Sequence, residues 1–165
     1  MKKTEDLLKE AFAGESQANR KYLAFAAKAD QEGYPQVARL FRAAAEAETV
    51  HAHNHLRALN GIRGTAENLR EAIAGETHEF KKMYPEMIEE AQKEGQKTAE
   101  RSFSYANEVE KIHAQLYQNI LNNLGKTPES YSYYVCPICG LTAEKSAPGV
   151  CPICGTKGEM FRRID

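Results

Sequence analysis

The sequence repeats itself once, and this internal repeat restricts the folds that the chain can adopt. The segment 10–15, Glu-Ala-Phe-Ala-Gly-Glu, returns 61 residues later as Glu-Ala-Ile-Ala-Gly-Glu at 71–76. The segment 46–51, Glu-Ala-Glu-Thr-Val-His, returns 62 residues later as Glu-Val-Glu-Lys-Ile-His at 108–113. Each copy therefore holds a lone Glu followed by a Glu-x-x-His pair, and the pattern predicts two helical hairpins related by a pseudo-twofold axis.

The spacing within each copy predicts a metal site. Glu at position i and His at i+3 lie on one face of an α-helix. Four helices that direct two such sets towards one axis form a carboxylate-rich cage for two metal ions. Carboxylate and imidazole ligands suit iron or manganese, and the pattern does not choose between them. The candidate ligands are Glu15, Glu48 and His51 in the first copy and Glu76, Glu110 and His113 in the second.

The two copies differ at one informative position. Glu79 lies three residues after Glu76, whereas the corresponding residue of the first copy is Ala18. The second copy thus has one extra carboxylate on the same helix face, and the two metal positions should not be equivalent. Tyr22 lies two helical turns after Glu15 and could either donate a hydrogen bond near the metals or pack in the core. The remaining histidines, His53, His55 and His78, are interpreted as ordinary helix residues.

Four long helices are predicted, at 4–32, 36–59, 64–94 and 96–124, because these segments are rich in Ala, Leu, Glu and Lys. Pro85 lies inside the third segment and is expected to kink it. Gly14 and Gly75 each cost about 1 kcal/mol inside a helix relative to alanine, so their repetition predicts close backbone packing beside the lone glutamates.

All four cysteines lie near the end of the chain, in two nearly identical motifs. Cys136-Pro-Ile-Cys139-Gly is followed by Cys151-Pro-Ile-Cys154-Gly. Paired Cys-x-x-Cys motifs at this separation are typical of a tetrahedral four-sulfur metal site. Sulfur ligands allow zinc, which would make a structural ribbon, or iron, which would make a one-electron relay. The redox-type carboxylate pattern elsewhere in the chain favours iron.

The bulk properties exclude several classes of function. A net charge of −1 gives no reason to expect binding to nucleic acid or to a membrane surface. No apolar run approaches the roughly 20 residues of a membrane span, and no apolar segment of a secretory signal follows the first residues. Thiols that serve as metal ligands are typical of a reducing compartment. A cytoplasmic protein is therefore expected.

At this point the sequence resembles the rubrerythrin family over its whole length. The matching motifs are Glu15, Glu48-x-x-His51, Glu76-x-x-Glu79, Glu110-x-x-His113 and the two cysteine motifs. The resemblance implies an all-α, ferritin-like four-helix bundle at 1–125, a linker at 126–134, and a small rubredoxin-like or zinc-ribbon-like β domain at 135–165.

The resemblance also implies roles for these residues. Glu48 and Glu110 would bridge two irons, and the other helical ligands would be terminal. Glu79 and His51 match a pair that exchanges at one iron when the oxidation state changes. Tyr22 and Tyr84 match tyrosines close to the metals. One iron would be held in a four-cysteine site, although zinc is possible, by Cys136, Cys139, Cys151 and Cys154. The cysteine pairs are closer together in sequence than in stand-alone rubredoxins.

The implied activity is that of a non-haem di-iron peroxidase, which reduces hydrogen peroxide to water in defence against oxidative stress. Its electrons would come through the iron–cysteine site from an NAD(P)H-linked reductase or a small rubredoxin-type carrier. The chain has no Gly-x-Gly-x-x-Gly motif, so it is not expected to bind the nicotinamide itself. Two alternatives remain open at this stage, a ferroxidase that stores iron and a non-catalytic zinc-ribbon binding module.

A homodimer that exchanges the helix one–two hairpin is expected from the length of the central connection. Helices two and three run parallel in a ferritin-like bundle, so their connection must cover roughly 27 Å if both ligand sets are to meet. The seven steps from Asn60 to Glu67 reach at most about 23–25 Å. The connection is therefore slightly too short, although unwinding one helical turn would allow the hairpin to stay in its own subunit.

Overall fold

The computed structural model describes residues 3–126 and 130–165, and within them it contains four long helical segments and a small β-sheet, as predicted. Residues 127–129 of the predicted linker lie outside the described residues. The chain divides into two compact units, Met1–Arg63 and Gly64–Asp165. No helix in the described part of the chain is long and apolar enough to cross a membrane.

The first unit is a helical hairpin formed by α1 (Thr4–Gln31) and α2 (Pro35–Ala58). Gly33 adopts a positive φ of 79° in the turn, and Pro35 begins α2, where its missing N–H costs nothing. The residues buried between the two helices are alanines, namely Ala26, Ala29, Ala38, Ala45 and Ala52. Asn19 donates from Nδ2 to the Ala45 carbonyl oxygen at 2.7 Å. Small side chains thus allow the helices to approach each other closely.

The helical part of the second unit contains α3 (Thr65–His78), a π-helical turn (Glu79–Met83), α4 (Tyr84–Lys93) and α5 (Lys97–Asn122). The π-helical turn lies just before Pro85, the residue expected to kink this segment, and in it the Tyr84 N–H bonds to the Glu79 carbonyl oxygen. The third helical segment is therefore not interrupted between Thr65 and Lys93. A π-helical turn changes the direction of side chains on either side of it and often marks a functional site.

The close packing predicted at the repeated glycines is not found within either unit among the described residues. A Cβ atom built on Gly14 or Gly75 would meet no atom within 4 Å among the described residues. The glycines therefore leave space beside the lone glutamates instead of marking a contact between helices of the same unit.

A three-stranded antiparallel sheet completes the second unit. Its strands β1 (Tyr133–Val135), β2 (Thr142–Glu144) and β3 (Arg162–Ile164) are ordered β2-β1-β3. A core beneath the sheet contains the buried residues Val109, Cys136, Leu141, Cys151 and Phe161. Since Val109 belongs to α5, the cysteine-containing domain packs directly on the helix that carries Glu110 and His113.

We predict that Val109→Ala loosens this packing. Val109 is only 2 % exposed, so its truncation should lower the free energy of unfolding by about 2 kcal/mol through lost burial and a residual cavity. Urea unfolding followed by circular dichroism measures this change. Val150→Ala is the matched control, because Val150 is 59 % exposed and its truncation should cost less than about 0.5 kcal/mol. Equal effects of the two substitutions would contradict the packing described here.

Candidate metal centres

The first unit holds one cluster of potential metal ligands. Glu15 of α1 lies beside Glu48 and His51 of α2, and one ligand atom from each residue lies within 4.8 Å of the others. His51 Nδ1 is 2.8 Å from Glu48 Oε2, as the i, i+3 spacing predicts. The His51 side chain is 53 % exposed and that of Glu48 is 18 % exposed. The three candidate ligands of the first copy therefore lie together, and their cluster is partly exposed to solvent.

The second unit holds the corresponding cluster in a more buried setting. Glu76 of α3 lies beside Glu110 and His113 of α5, again with one ligand atom from each within 4.8 Å. His113 Nδ1 is 2.7 Å from Glu110 Oε2 and 3.8 Å from Glu76 Oε1. The His113 side chain is 25 % exposed, about half the value for His51. One ring nitrogen of His113 therefore faces both carboxylates.

The surroundings of the second cluster disfavour the charged forms of its two carboxyl groups. Burial, a hydrogen bond to Glu110 and the charge of Glu110 raise the pKa of Glu76 to about 7, although His113 acts in the opposite direction. Burial also raises the pKa of Glu110, and the charge of Glu79 adds to this effect. A cation placed between these groups would remove the repulsion and take the place of the proton.

Glu79 and Tyr84 lie beside this second cluster. Glu79 does not join either helical cluster within 4.8 Å among the described residues. Burial raises the pKa of Glu79, and the negative charge of Glu76 raises it further. The pKa of Tyr84 is raised by burial and by the charges of Glu79, Glu110 and Glu76. Both groups are therefore close enough for the charges of the acidic cluster to raise their pKa values. They hold their protons more strongly than they would in water.

Tyr22 has aromatic neighbours, and the remaining histidines are not part of the clusters. The Tyr22 ring packs against Phe25 and Phe41, with ring centroids 6.4 Å and 6.0 Å away, which matches the core alternative for this residue. His53 and His78 are exposed and His55 is half-buried. Within the described residues, none of these three histidines belongs to a group of potential metal ligands.

A cavity of about 430 Å³ lies next to His113 in the second unit. Its polar lining includes Tyr117, Tyr133 and Thr142. Burial raises the pKa of Tyr117, and the charges of Glu76 and Glu110 add to this effect. Sequence reasoning did not identify Thr142 or Tyr133, because neither occurs in the repeated segments. Tyr117 corresponds to His55 in the 62-residue repeat, and the repeat gave no other indication of a role for it.

The four cysteines form a third cluster. Cys136 Sγ is 3.6 Å from Cys154 Sγ, and Cys139 Sγ is 3.5 Å from Cys151 Sγ. All four are free thiols, and their sulfur atoms lie within 4.8 Å of one another. Metal–sulfur bonds of about 2.3 Å in a tetrahedron give sulfur separations of about 3.8 Å, so this arrangement fits a single four-coordinate ion.

Backbone turns hold the cysteines in this arrangement. Gly140 and Gly155 adopt positive φ angles of 84° and 78°, which glycine accepts without steric cost. Burial acts to raise the pKa of the Cys154 thiol, but hydrogen bonds from the side chain and backbone of Thr156, together with those from other cysteines, lower it to about 6. The Thr156 hydroxyl lies 3.0 Å from Cys154 Sγ. This knuckle therefore favours the thiolate that a metal requires.

Both the helical part and the cysteine domain of the chain are similar to known proteins. Residues 6–121 match the family model described as rubrerythrin, and residues 134–162 match that of the rubrerythrin rubredoxin-like domain. Rubrerythrin-2 of Clostridium acetobutylicum is 39 % identical over 161 residues, covering 84 % of each chain. Nigerythrin of Nitratidesulfovibrio vulgaris is 36 % identical over 147 residues, covering 81 % of this chain and 72 % of nigerythrin.

A solved structure supports the same assignment. The fully reduced, all-ferrous state of nigerythrin superposes with a TM-score of 0.61 at 32 % identity, covering 99 % of this chain and 88 % of nigerythrin. The predicted fold class, with a ferritin-like helical part and a rubredoxin-like β domain, is thereby confirmed. The donor sets agree with it, because nitrogen and carboxylate ligands suit a di-iron site and four thiolates suit a rubredoxin-like site.

We predict that Glu76→Gln makes the second unit more stable at high pH when a chelator has removed the metals from the helical sites. The pKa of Glu76 lies above that of an unfolded glutamate, so the folded state loses stability as pH rises from about 4.5 through 7. Glutamine removes this loss. The variant should exceed the unsubstituted protein by on the order of 1–3 kcal/mol at pH 8 and match it near pH 4. Urea unfolding at both pH values measures the difference.

Glu108→Gln is the control for this experiment. Glu108 is an exposed residue of α5 that pairs with Lys111, so its substitution should leave stability unchanged or slightly lower at both pH values. A Glu76→Gln protein that is less stable than the unsubstituted protein at pH 8 would show that Glu76 is not under electrostatic strain.

Proposed function

Because this chain belongs to the rubrerythrin family, we propose that it is a non-haem di-iron peroxidase that reduces hydrogen peroxide to water. Members of this family are generally oxidoreductases. The observation that carries the proposal is the presence, in one chain, of two repeated carboxylate–histidine clusters and a four-thiol cluster. The carboxylate–histidine donors suit a redox-active metal pair, and the thiolates suit a one-electron relay.

The proposed ligands are the residues that the sequence pattern identified. The helical ligands are Glu15, Glu48, His51, Glu76, Glu79, Glu110 and His113, and the relay ligands are Cys136, Cys139, Cys151 and Cys154. Glu48 and Glu110 are proposed to bridge, while Glu79 and His51 are alternative ligands in different oxidation states. When bound, the helical iron pair would supply two electrons to the peroxide, and iron in the cysteine site would return them singly.

The acidic groups around the second cluster have a role in proton supply. Reduction of one hydrogen peroxide molecule to two waters consumes two protons together with the two electrons. Glu79 and Tyr84 hold their protons more strongly than in water because of burial and the neighbouring carboxylates. We propose both groups as proton donors beside the site. Tyr22 is proposed as a further residue close to the metals.

The electrons are proposed to enter from a separate protein. A rubredoxin-like domain is suited to interaction with a redox partner, and an NAD(P)H-linked reductase or a small rubredoxin-type carrier would supply it. The four free thiols are consistent with a reducing compartment, so we place this activity in the cytoplasm as a defence against oxidative stress. We retain 1–125, 126–134 and 135–165 as the helical domain, the linker and the relay domain.

We further propose that the active protein is a homodimer whose subunits exchange the α1–α2 hairpin. One helical cluster belongs to the unit Met1–Arg63 and the other to Gly64–Asp165. The path from His51 to the end of α2 at Ala58, together with that from Thr65 to Glu76, covers 18 residue-to-residue steps of helix, or about 27 Å. The seven steps from Ala58 to Thr65 reach only about 23–25 Å.

The exposed side chains of the α1–α2 hairpin support the proposal that it binds another protein chain. Its buried residues are alanines, whereas several of its large apolar side chains, namely Leu23, Phe25, Leu40 and Val50, are exposed. We propose that these side chains form an apolar patch of the kind that packs against another protein surface. A second copy of this chain would supply a surface that carries the complementary half of the metal site.

Anaerobic stopped-flow of the fully reduced protein against hydrogen peroxide tests the proposed activity. Oxidation of the iron in the cysteine site should be fast. The visible band of its ferric form monitors this oxidation. Glu79→Ala should slow this oxidation roughly 100-fold, because it removes both a proposed ligand and a proton donor. Glu86→Ala is the control, since Glu86 is an exposed residue of the following helix and should not change the rate.

Two outcomes would contradict the peroxidase proposal. Slow oxidation of the unsubstituted protein, together with accumulation of ferric mineral under excess ferrous iron, would indicate iron storage. A colourless protein that contains zinc in its cysteine site and does not react with peroxide would indicate a binding module.

Mixed dimers test the hairpin exchange. Glu48→Ala inactivates the hairpin half of a site, and Glu110→Ala inactivates the other half. If hairpins are exchanged, a mixed dimer of the two inactive variants has one intact site, built from the unsubstituted hairpin of one chain and the unsubstituted second unit of the other. Unfolding and refolding the variants together should then restore peroxidase activity.

The control mixes Glu48→Ala with His51→Ala. Both substitutions lie in the hairpin, so no intact site can form whichever way the hairpins are arranged. Absence of recovery in the Glu48→Ala and Glu110→Ala mixture, with mixed dimers demonstrated by differently tagged chains, would show that each subunit keeps its own hairpin.

A further inference from the structure

The imidazole of His113 is held from both sides. Nδ1 faces the carboxylates, at 2.7 Å from Glu110 Oε2, while Nε2 lies 3.0 Å from the hydroxyl oxygen of Thr142. Thr142 is the first residue of β2 and lies three residues after Cys139. A side chain of the cysteine domain therefore contacts a candidate ligand of the helical metal site within the same unit.

The fold fixes the position of Thr142. Thr142 pairs with Val135 in the sheet. The preceding residue, Leu141, is 5 % exposed, and its carbonyl oxygen accepts a hydrogen bond from the Cys136 N–H at 2.9 Å. The Thr142 hydroxyl is also 3.4 Å from the Gly140 carbonyl oxygen. The hydroxyl is thus held by the same turn that positions the first cysteine pair.

The chemistry of a hydroxyl group suits this position. A threonine hydroxyl can accept one hydrogen bond and donate another. It can accept from His113 Nε2–H while it donates to the Gly140 carbonyl oxygen. A proton on Nε2 leaves the lone pair on Nδ1, which is the nitrogen that faces Glu76 and Glu110. Hydrogen bonds of this kind fix the tautomer and the ring orientation of metal-binding histidines.

We propose that Thr142 is a positioning residue for the helical metal site, and that the cysteine knuckle therefore helps to set the metal affinity of α5. The inference rests on the proposed function only in taking His113 as a ligand. It assigns to the rubredoxin-like domain a second task, orientation of a ligand imidazole, which the sequence repeat does not reveal. The hairpin copy has no equivalent among the described residues of its own unit, and His51 is correspondingly more exposed than His113.

Manganese binding tests the proposal without any measurement of activity. Mn²⁺ prefers nitrogen and oxygen ligands to thiolates, so it titrates the helical sites of protein that already holds iron in its cysteine site. Free Mn²⁺ is followed by its electron paramagnetic resonance signal. Thr142→Val should weaken the class of sites that contains His113 by about 10- to 100-fold. Thr142→Ser, which keeps the hydroxyl, should stay within about threefold of the unsubstituted protein.

Two controls separate the hydroxyl from general damage to the domain. Thr98→Val makes the same chemical change at an exposed position of α5, away from the helical candidate ligands of the second unit, and it should leave Mn²⁺ affinity unchanged. Val109→Ala loosens the core between α5 and the cysteine domain while leaving the hydroxyl in place. An equal loss of affinity in Val109→Ala and Thr142→Val would overturn the proposal, as would an equal loss in Thr142→Ser.

Nuclear magnetic resonance of the unsubstituted protein gives a test that does not depend on the folding of Thr142→Val. With ¹⁵N-labelled histidine and diamagnetic zinc in both the cysteine site and the helical sites, His113 should bind metal through Nδ1 and show a proton on Nε2 that exchanges slowly with water. The signal is assigned by its loss in His113→Ala. A neutral His113 with its proton on Nδ1, or an Nε2 proton that exchanges as fast as that of His51, would overturn the proposal.

The outcomes also distinguish this inference from the proposed function. If the protein does not reduce peroxide but Thr142→Val weakens Mn²⁺ binding and Thr142→Ser does not, the positioning role stands and the peroxidase proposal fails. If His113→Ala leaves Mn²⁺ affinity unchanged, the ligand assignment fails first, and the role of Thr142 is overturned with it.

Discussion

Glu76 and Glu110 place two half-buried carboxyl groups side by side on two facing helices, and the cost of charging both is the constraint on which the site in the second unit depends. Water cannot fully solvate both carboxylates, because burial contributes most to the rise in their pKa values. A proton or a cation between them would lower this cost. His113 faces both carboxylates, and Glu79 and Tyr84 add further acidic groups at the edge. An arrangement that is unfavourable without a cation is what a metal site requires, since metal binding then releases the strain.

The repeat distributes this constraint over two compact units that are not equal. The hairpin cluster is built on a small core of alanines and keeps His51 largely exposed, whereas the second cluster is more enclosed and adjoins the cysteine domain. The extra carboxylate Glu79 and the hydroxyl of Thr142 both belong to the second unit. The two copies of the repeat thus have different surroundings for the same three candidate ligands, and different surroundings give bound metals different affinities and potentials.

The cysteine domain is more than an appended electron carrier in this arrangement. Its few strands cannot form a hydrophobic core by themselves, so the metal thiolates and the contact with Val109 of α5 stabilise it together. The packing that stabilises the domain also brings the first cysteine turn to within hydrogen-bonding distance of His113. Stability of the small domain and geometry of the helical site therefore rest on one shared interface.

Local chemistry made much of this protein readable from its sequence. Glu-x-x-His pairs meet because a helix has 3.6 residues per turn, cysteine knuckles form because glycine accepts a positive φ, and the ends of the four helical segments follow from glycine and proline. Other features depend on contacts between residues that are distant in sequence. The π-helical turn at Glu79, the open space beside Gly14 and Gly75, and the rise in the pKa of Glu76 all depend on what surrounds the backbone. Thr142 is the clearest case, because nothing in its sequence neighbourhood indicates His113, which lies 29 residues away. The sequence by itself determined the donor sets and the family, and only the tertiary structure decided which carboxyl groups raise each other's pKa and which hydroxyl contacts His113, because charge coupling and hydrogen bonding depend on distance in space.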